Sequence, residues 1–257
     1  MKTEILYGIN PVYEALVAAR RRFFEIHIER KNLSGRLKHL IDMAEAQNIP
    51  IKKTDSSQID TMVSSGVHQG IAAKVSRYPL VEIQTMLALP GFSGARYSLL
   101  LLDNIQDPHN LGAIIRTASC IGIGGVVIPK DRSVSPTATV SKASAGALEH
   151  IHLARVTNMV RTLKMLKGHG LWIIGLDQNA PQSMYATDLT GPIALVVGGE
   201  QKGIRPLVKR NCDVLISIPQ CGPISSLNAS VAGAIVMYES FRQRQQLAST
   251  LNGRKPL

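Results

Sequence analysis

Cysteine is scarce in this chain: three residues, Cys120, Cys212 and Cys221, odd in number, widely spaced and without a C-x-x-C pair. That argues against a disulfide framework or a zinc ribbon and fits a reducing cytoplasm. Long apolar runs are also missing. No stretch approaches the ~20 residues needed to cross a bilayer, so no membrane association is expected. The first ten residues carry Lys2 and Glu4 but no apolar core, so a secretory leader is not expected either. Aromatic residues are only 4% of the chain, one of them a tryptophan. Extensive stacking on unpaired bases is therefore a poor fit, and recognition through shape, phosphates and ribose hydroxyls a better one.

Acidic residues are in deficit: 18 Asp and Glu face 29 Lys and Arg, a net charge of +11. The excess is spread along the chain, with 11 basic and 8 acidic residues in 1–76 and 18 and 10 in 77–257, so it is no detachable tail. Such a balance favours a polyanionic partner, because each neutralised phosphate releases condensed counterions. It also serves plain solubility, and charge alone does not decide between the two. With 257 residues, 45% hydrophobic and 18% charged, the chain has room for one large globular domain or two ordinary ones.

Periodicity predicts an α/β unit over residues 1–76, with helices over 11–19, 36–48 and 56–62 and strands at 24–29, from 49, and over 70–75. Pro and Gly cluster around a short amphipathic piece in 77–95, which reads as a linker. Residues 96–257 open on Leu99-Leu100-Leu101-Leu102 and then alternate apolar strands (125–128, 171–176, 193–197, 214–218) with helices (112–121, 141–148, 159–168, 227–246). Continuous apolar strands separated by helices predict a parallel sheet covered on both faces.

In such a sheet, ligands gather outside the carboxyl ends of the strands. Three segments leave a strand for polar, Gly-rich sequence: Asp103 to Gly112, Gly198 to Gly203 and Pro219 to Asn228. All three are expected to meet at one sheet edge. Competing sites fail on detail. Gly122-Ile123-Gly124 starts a dinucleotide pattern, but position 127 is Val and a strand follows instead of a helix. Gly198-Gly199 lacks the Gly-Lys-Ser/Thr of a phosphate loop, and no G-x-S-x-G elbow exists. The common Gly-rich methyltransferase loop is absent after Leu102-Asp103.

At these residues the chain resembles the SpoU/TrmH (SPOUT) family of RNA ribose 2′-O-methyltransferases. Asp107-Pro108-His109-Asn110-Leu111-Gly112 through Arg116-Thr117-Ala118 is similar to its first motif, and Val197 to Ile204 to its second. Ile216 to Pro219 with Ser225 to Ser230 is similar to its third. Tyr7-Gly8-Ile9-Asn10-Pro11-Val12 and His68-Gln69-Gly70-Ile71 resemble the family's N-terminal substrate-binding part. The resemblance implies an α/β fold: a C-terminal parallel-sheet domain with a trefoil knot, an exception to the general avoidance of knots, and a small N-terminal domain like ribosomal protein L30e that grips RNA. It also implies a cytoplasmic homodimer joined through the C-terminal domains. The implied cofactor is S-adenosyl-L-methionine, held at Gly198, Ile218 and Leu227, and the implied substrate is ribosomal RNA or a pre-ribosomal particle, with a guanosine of 23S rRNA as target. One departure is Gln201, where the family often has Gly.

The cofactor supplies the reactive carbon, so the protein has to bind, orient and help release the hydroxyl proton; no metal is required. The family resemblance gives Arg116 a catalytic role. As a group that stays protonated it suits a phosphate contact and the stabilisation of developing alkoxide charge better than proton abstraction. Asn110 offers an amide for ribose or for positioning Arg116, and as a helix N-cap would need no other role. Glu200 is a candidate to orient Arg116 or the substrate, and Ser226 and Asn228 to face cofactor or RNA, with capping by either or by Ser225 the plainer alternative. His109 reads as structural, His150 and His152 lack a third ligand, and Cys221 lacks a base. Arg20-Arg21-Arg22 and Lys52-Lys53 are candidate phosphate contacts or a solvated face. Two other functions fit the resemblance: a transfer-RNA ribose methyltransferase and a non-catalytic RNA-binding or ribosome-assembly factor built on the same fold. A nicotinamide-dependent oxidoreductase is disfavoured by its missing glycines.

Overall fold

The computed structural model of the protein describes residues 2–30, 35–63, 66–90, 97–200, 202–224 and 226–251. The chain forms two compact units, one of Met1–Pro79 with Ser135–His150 and one of Leu80–Val134 with Ile151–Leu257.

The first unit runs β1 (Thr3–Tyr7), α1 (Ile9–Ala18), β2 (Phe23–Glu29), α2 (Gly35–Ala46), β3 (Ile51–Thr54), α3 (Ser56–Val63) and β4 (Ile71–Ser76). Its sheet has the order β1-β4-β2-β3, with only β2 and β3 parallel. The period-two pattern of β2 sends Ile26 and Ile28 into the core. The helical spacing of Val12, Ala15 and Leu16, and of Leu37, Leu40 and Ala44, lays α1 and α2 against them. Each large side chain buried this way contributes roughly 1.5–3 kcal/mol. β1 is a half-exposed edge strand, and α1 begins at Ile9 behind Gly8 (φ 91), two residues earlier than expected.

The second unit continues with α4 (Ile83–Leu87), β5 (Ser98–Asp103), α5 (Pro108–Cys120) and β6 (Gly125–Pro129). After α6 (Ala138–Ala143), which belongs to the first unit, come β7 (His152–Val156), α7 (Met159–Gly168), β8 (Trp172–Leu176), β9 (Gln182–Ser183), β10 (Ile193–Gly198), α8 (Pro206–Lys209), β11 (Val214–Ser217) and α9 (Ala229–Leu251). Its seven strands are all parallel, in the order β7-β6-β5-β10-β8-β11-β9. Every residue of β5 and β6 is buried, as continuous apolar strands in a two-sided sheet require. β5 connects onward to its neighbour β6 on one side and β10 to β11 on the other, so the order reverses between β5 and β10. Asp103 and Gly198 are paired at their carboxyl ends. A crevice is expected there.

Two segments lie elsewhere than the division 1–76, 77–95 and 96–257 implies. Val81 bridges to Ala154, and Ile83 and Met86 are buried in the apolar cluster of the second unit, so part of the expected linker is core. Residues 135–150 sit in the first unit, where the buried Arg21 guanidinium donates to Glu149 at 2.6 and 2.9 Å and Ser141 Oγ donates to the same carboxylate at 2.8 Å. The helix expected over 141–148 is interrupted because Ala145 (φ 53) and Gly146 (φ 89) are left-handed. A Cβ on Gly146 would come within 2.9 Å of the Asn10 carbonyl.

Candidate active site

The three strand exits do meet. Asp107 is the N-cap of α5: its carboxylate accepts from the His109 and Asn110 amides at 3.1 Å each, with Pro108 in the first turn. This corrects the alternative of Asn110 as the cap and frees its side chain. Asn110 Nδ2 donates to Glu200 Oε1 at 2.9 Å. Asn228 Nδ2 donates to Asn110 Oδ1 at 3.0 Å and also to Glu200 Oε1. One carboxylate thus ties the exits of β5, β10 and β11 together. Asn228 in turn caps α9, its Oδ1 accepting from the Ser230 amide at 2.9 Å, the Ser230 hydroxyl at 2.5 Å and the Val231 amide at 3.3 Å.

Beside this strap is a cavity of about 580 Å³, a size that suits a nucleoside-bearing ligand. Gly198, Ile218 and Leu227, the three expected cofactor residues, line it, as do Glu200 and Ser226. A smaller hollow of about 170 Å³ lies against Asn104, Gln106, Asp107 and Asn110 and shares Gly199, Glu200 and Ala229 with the large one. The two glycines are required by contact. A Cβ on Gly198 would stand 2.1 Å from the Gly203 carbonyl carbon, and one on Gly199 2.2 Å from the Asn104 carbonyl oxygen.

Arg116 is not held by either residue that was a candidate to position it. It is exposed on α5 and makes no hydrogen bond or ion pair among the described residues, so neither Asn110 nor Glu200 positions it. Six residues of helix turn it about 240° from Asn110, away from the strap. His109 is exposed in the first turn of α5 and Cys221 is exposed. His150 pairs with Glu14 at 2.8 Å. Gln201 and Ser225 lie outside the described residues.

Two groups of site residues escaped the sequence reading. Asp177 and Asn179, at the exit of β8, line the cavity with Lys209. Burial pushes the Asp177 carboxyl up, but Lys209 at 2.5 Å and the Asn179 amide bring it below its ordinary value. The signal was present, because Leu176-Asp177-Gln178-Asn179 is a fourth apolar strand ending in polar residues at the same edge. The other is Arg205, which grips the buried Asp103 carboxylate at 2.6–2.8 Å.

A parallel sheet with a cavity at the carboxyl ends of β8, β10 and β11, beside the order reversal and bordered by an Asn–Glu–Asn strap, belongs to the class of α/β proteins that take ligands at the carboxyl edge of the sheet. Comparison makes the class specific: residues 98–238 match the SpoU rRNA Methylase family and residues 5–81 the RNA 2′-O ribose methyltransferase substrate-binding family. The chain belongs to the SpoU rRNA methylase family. The 23S rRNA (guanosine-2′-O-)-methyltransferase RlmB of Escherichia coli strain K12 is 40% identical over 245 residues, 94% of this chain and 99% of its own. The protein of the same name from Yersinia pestis is 40% identical over 242 residues, 94% and 98% of the two chains. The fold is shared with the SpoU methyltransferase AviRb of Streptomyces viridochromogenes, solved in complex with AdoMet. That match has a TM-score of 0.79, 21% identity and covers 94% of this chain and 90% of the other.

Proposed function

We propose that this protein transfers a methyl group from S-adenosyl-L-methionine to a ribose 2′-hydroxyl of ribosomal RNA, with a guanosine of 23S rRNA as the target. The observation that carries the proposal is the cavity of about 580 Å³ lined by Gly198, Ile218 and Leu227 and bordered by the Asn110–Glu200–Asn228 strap. The 40% identity to RlmB across 94% of the chain supports the choice of RNA. The residues present fit the cofactor. Leu176, Val197, Ile204, Ile216 and Ile218 give the cavity an apolar wall, while Asp177, Glu200 and Ser226 supply polar groups at its edge.

Bound there, the cofactor supplies an electrophilic methyl carbon whose sulfur departs as a thioether. The chain's own residues do the rest. Gly198, Gly199, Gly203, Ile204, Ile218 and Leu227 fix the ligand through backbone and apolar contact, and the strap keeps their segments in register with α5. Arg116, exposed and free of ion pairs among the described residues, meets an RNA phosphate and offsets negative charge as the hydroxyl proton passes to solvent water. Residues 1–76 grip the RNA. In this reading the second unit carries the trefoil knot, and the protein works in the cytoplasm as a homodimer through its C-terminal domain, on free ribosomal RNA or a pre-ribosomal particle.

Arg116→Ala is the direct test. The variant should bind S-adenosylmethionine by titration calorimetry as the parent does and lose at least about 100-fold in methyl transfer. Full activity in the variant would remove Arg116 from the reaction. Ribose-methylation mapping across ribosomal and transfer RNA in a strain lacking the protein identifies the nucleotide. A missing mark in transfer RNA would replace the ribosomal target.

A further inference from the structure

Asp103 ends the central strand β5 and is fully buried, yet it lines neither the large cavity nor the small hollow. It therefore takes no direct part in binding or chemistry. Its carboxylate and its carbonyl both bond to one loop among the described residues. The Asp103 backbone carbonyl accepts from the Gly199 amide at 2.9 Å, where the loop leaves β10. Its carboxylate accepts from the Arg205 amide at 2.8 Å, from Arg205 Nε at 2.8 Å and from Nη2 at 2.6 Å, where the loop enters α8. Between those anchors Gly203 donates to the Gly199 carbonyl at 2.8 Å and closes the turn. Glu200 stands inside the closed turn, and Gly199, Lys202, Gly203 and Ile204 of the same segment line the cavity.

A buried carboxylate costs several kcal/mol in lost hydration, which a forked guanidinium and a backbone amide offset only in good geometry. Such pairs add little net stability compared with apolar side chains of the same volume. What this pair adds is direction. The two carboxylate oxygens hold the backbone and the side chain of one residue at once, which fixes where the loop ends as well as that it ends there.

We infer that Asp103 is a positioning residue for the proposed methyl transfer, stapling both ends of the 199–205 loop so that the cavity wall and Glu200 are held ready before any ligand arrives. The inference rests on the proposed function for its consequences in catalysis, but the staple itself is a property of the loop. It does not touch the reacting atoms and acts through Glu200 and the cavity backbone.

The test uses the full-length protein with Asp103→Asn, Arg205→Lys and Arg205→Met, read in two ways. Hydrogen exchange of the Gly199–Arg205 amides, measured without ligand, should speed up by about tenfold or more in D103N and R205M and less in R205K. R205K keeps the charge but not the fork. Calorimetry with S-adenosylmethionine and steady-state rates should then show Kd and the cofactor KM rising together by about tenfold in D103N and R205M. kcat should fall as well, because Glu200 is displaced, and R205K should be intermediate. A role in general stability alone would instead lower the melting temperature and leave exchange elsewhere raised equally, with Kd unchanged in the folded fraction. Arg205→Lys keeps a cation beside the buried Asp103 carboxylate at a side chain one third exposed, so it folds and keeps the test decisive even if D103N or R205M does not. Parent-like exchange of the loop in the folded variants overturns the inference. If the parent protein itself fails to bind S-adenosylmethionine, the proposed function falls, while the exchange measurement still decides the staple.

Discussion

Asn228 has no hydrogen-bonding capacity to spare for a substrate. Its amide nitrogen donates to Glu200 and Asn110, and its oxygen accepts from Ser230 twice and from Val231. Its part is to hold Glu200 and the start of α9 together. Asn228→Asp keeps the cap, since Asp serves α9 as well as Asn, but removes both donors and sets a second carboxylate against Glu200. Methyl transfer should fall by about 100-fold with little change in helix content. Parent-like methyl transfer in the variant would show that the two donors of Asn228 are not needed to hold Glu200. Cys212 illustrates the opposite kind of residue. Burial pushes its thiol up to about 12, so it stays protonated and inert at ordinary pH. Cys120 and Cys221 are exposed. Alkylation at pH 8 followed by intact-mass measurement should add two labels to the native protein and a third only after unfolding.

At the scale of elements, the site depends on how closely β5 and β10 let their exits approach. Gly199→Ala would put a methyl group 2.2 Å from the Asn104 carbonyl oxygen, and backbone on both sides leaves no flexible tip to give way. The substitution should cost about 1–3 kcal/mol in denaturant unfolding and weaken cofactor binding more than that loss of folded protein explains. Unchanged affinity would mean the loop has room that the geometry denies it. The strands that frame this approach were legible in the sequence, because β5, β6 and β10 are buried on both faces and so read as unbroken apolar runs. The α5 start was read four residues late although Asp107-Pro108 carries both cap and first-turn signals. β1 was not legible: it is a half-exposed edge strand whose Glu4 serves Arg21, and its alternation is too short to register. Nor were the partners of Glu200. Asn110 lies 90 residues away along the chain, and only the sheet order brings β5 beside β10. Motif spacing named the right loops and left Glu200 between Arg116, which the helix turns away, and the substrate.

For the whole molecule, a net charge of +11 overstates what an RNA meets. Arg21, one of three consecutive arginines that read as candidate phosphate contacts or a solvated face, is buried against Glu149 and Glu4, and burial pushes its guanidinium down less than those two carboxylates pull it up. Arg20 donates to the Glu149 carbonyl at 3.3 Å and lies over Tyr78. Lys52 is paired with Glu25, Arg205 with Asp103 and Lys209 with Asp177. Lys52, 56% exposed at its side chain, stays within reach of a phosphate, but the arginines and Lys209 are committed internally, and replacing one of those should change folding before it changes RNA affinity. Arg21→Met leaves the buried Glu149 carboxylate without its cation and should cost roughly 3–5 kcal/mol, with RNA affinity of the folded protein nearly intact. Exposed Arg116 should behave in reverse. If the remaining free cations make about six phosphate contacts on single-stranded segments, log affinity falls with log salt at a slope of about −4. Fluorescence anisotropy of a labelled ribosomal-RNA fragment, titrated across a series of salt concentrations, reads that slope directly. It should be the same in Arg21→Met as in the parent and shallower by about 0.7 in Arg116→Ala, the share of one contact. A slope near zero in the parent would exclude phosphate neutralisation as the source of affinity. A slope shared unchanged by Arg116→Ala would take that arginine off the RNA backbone.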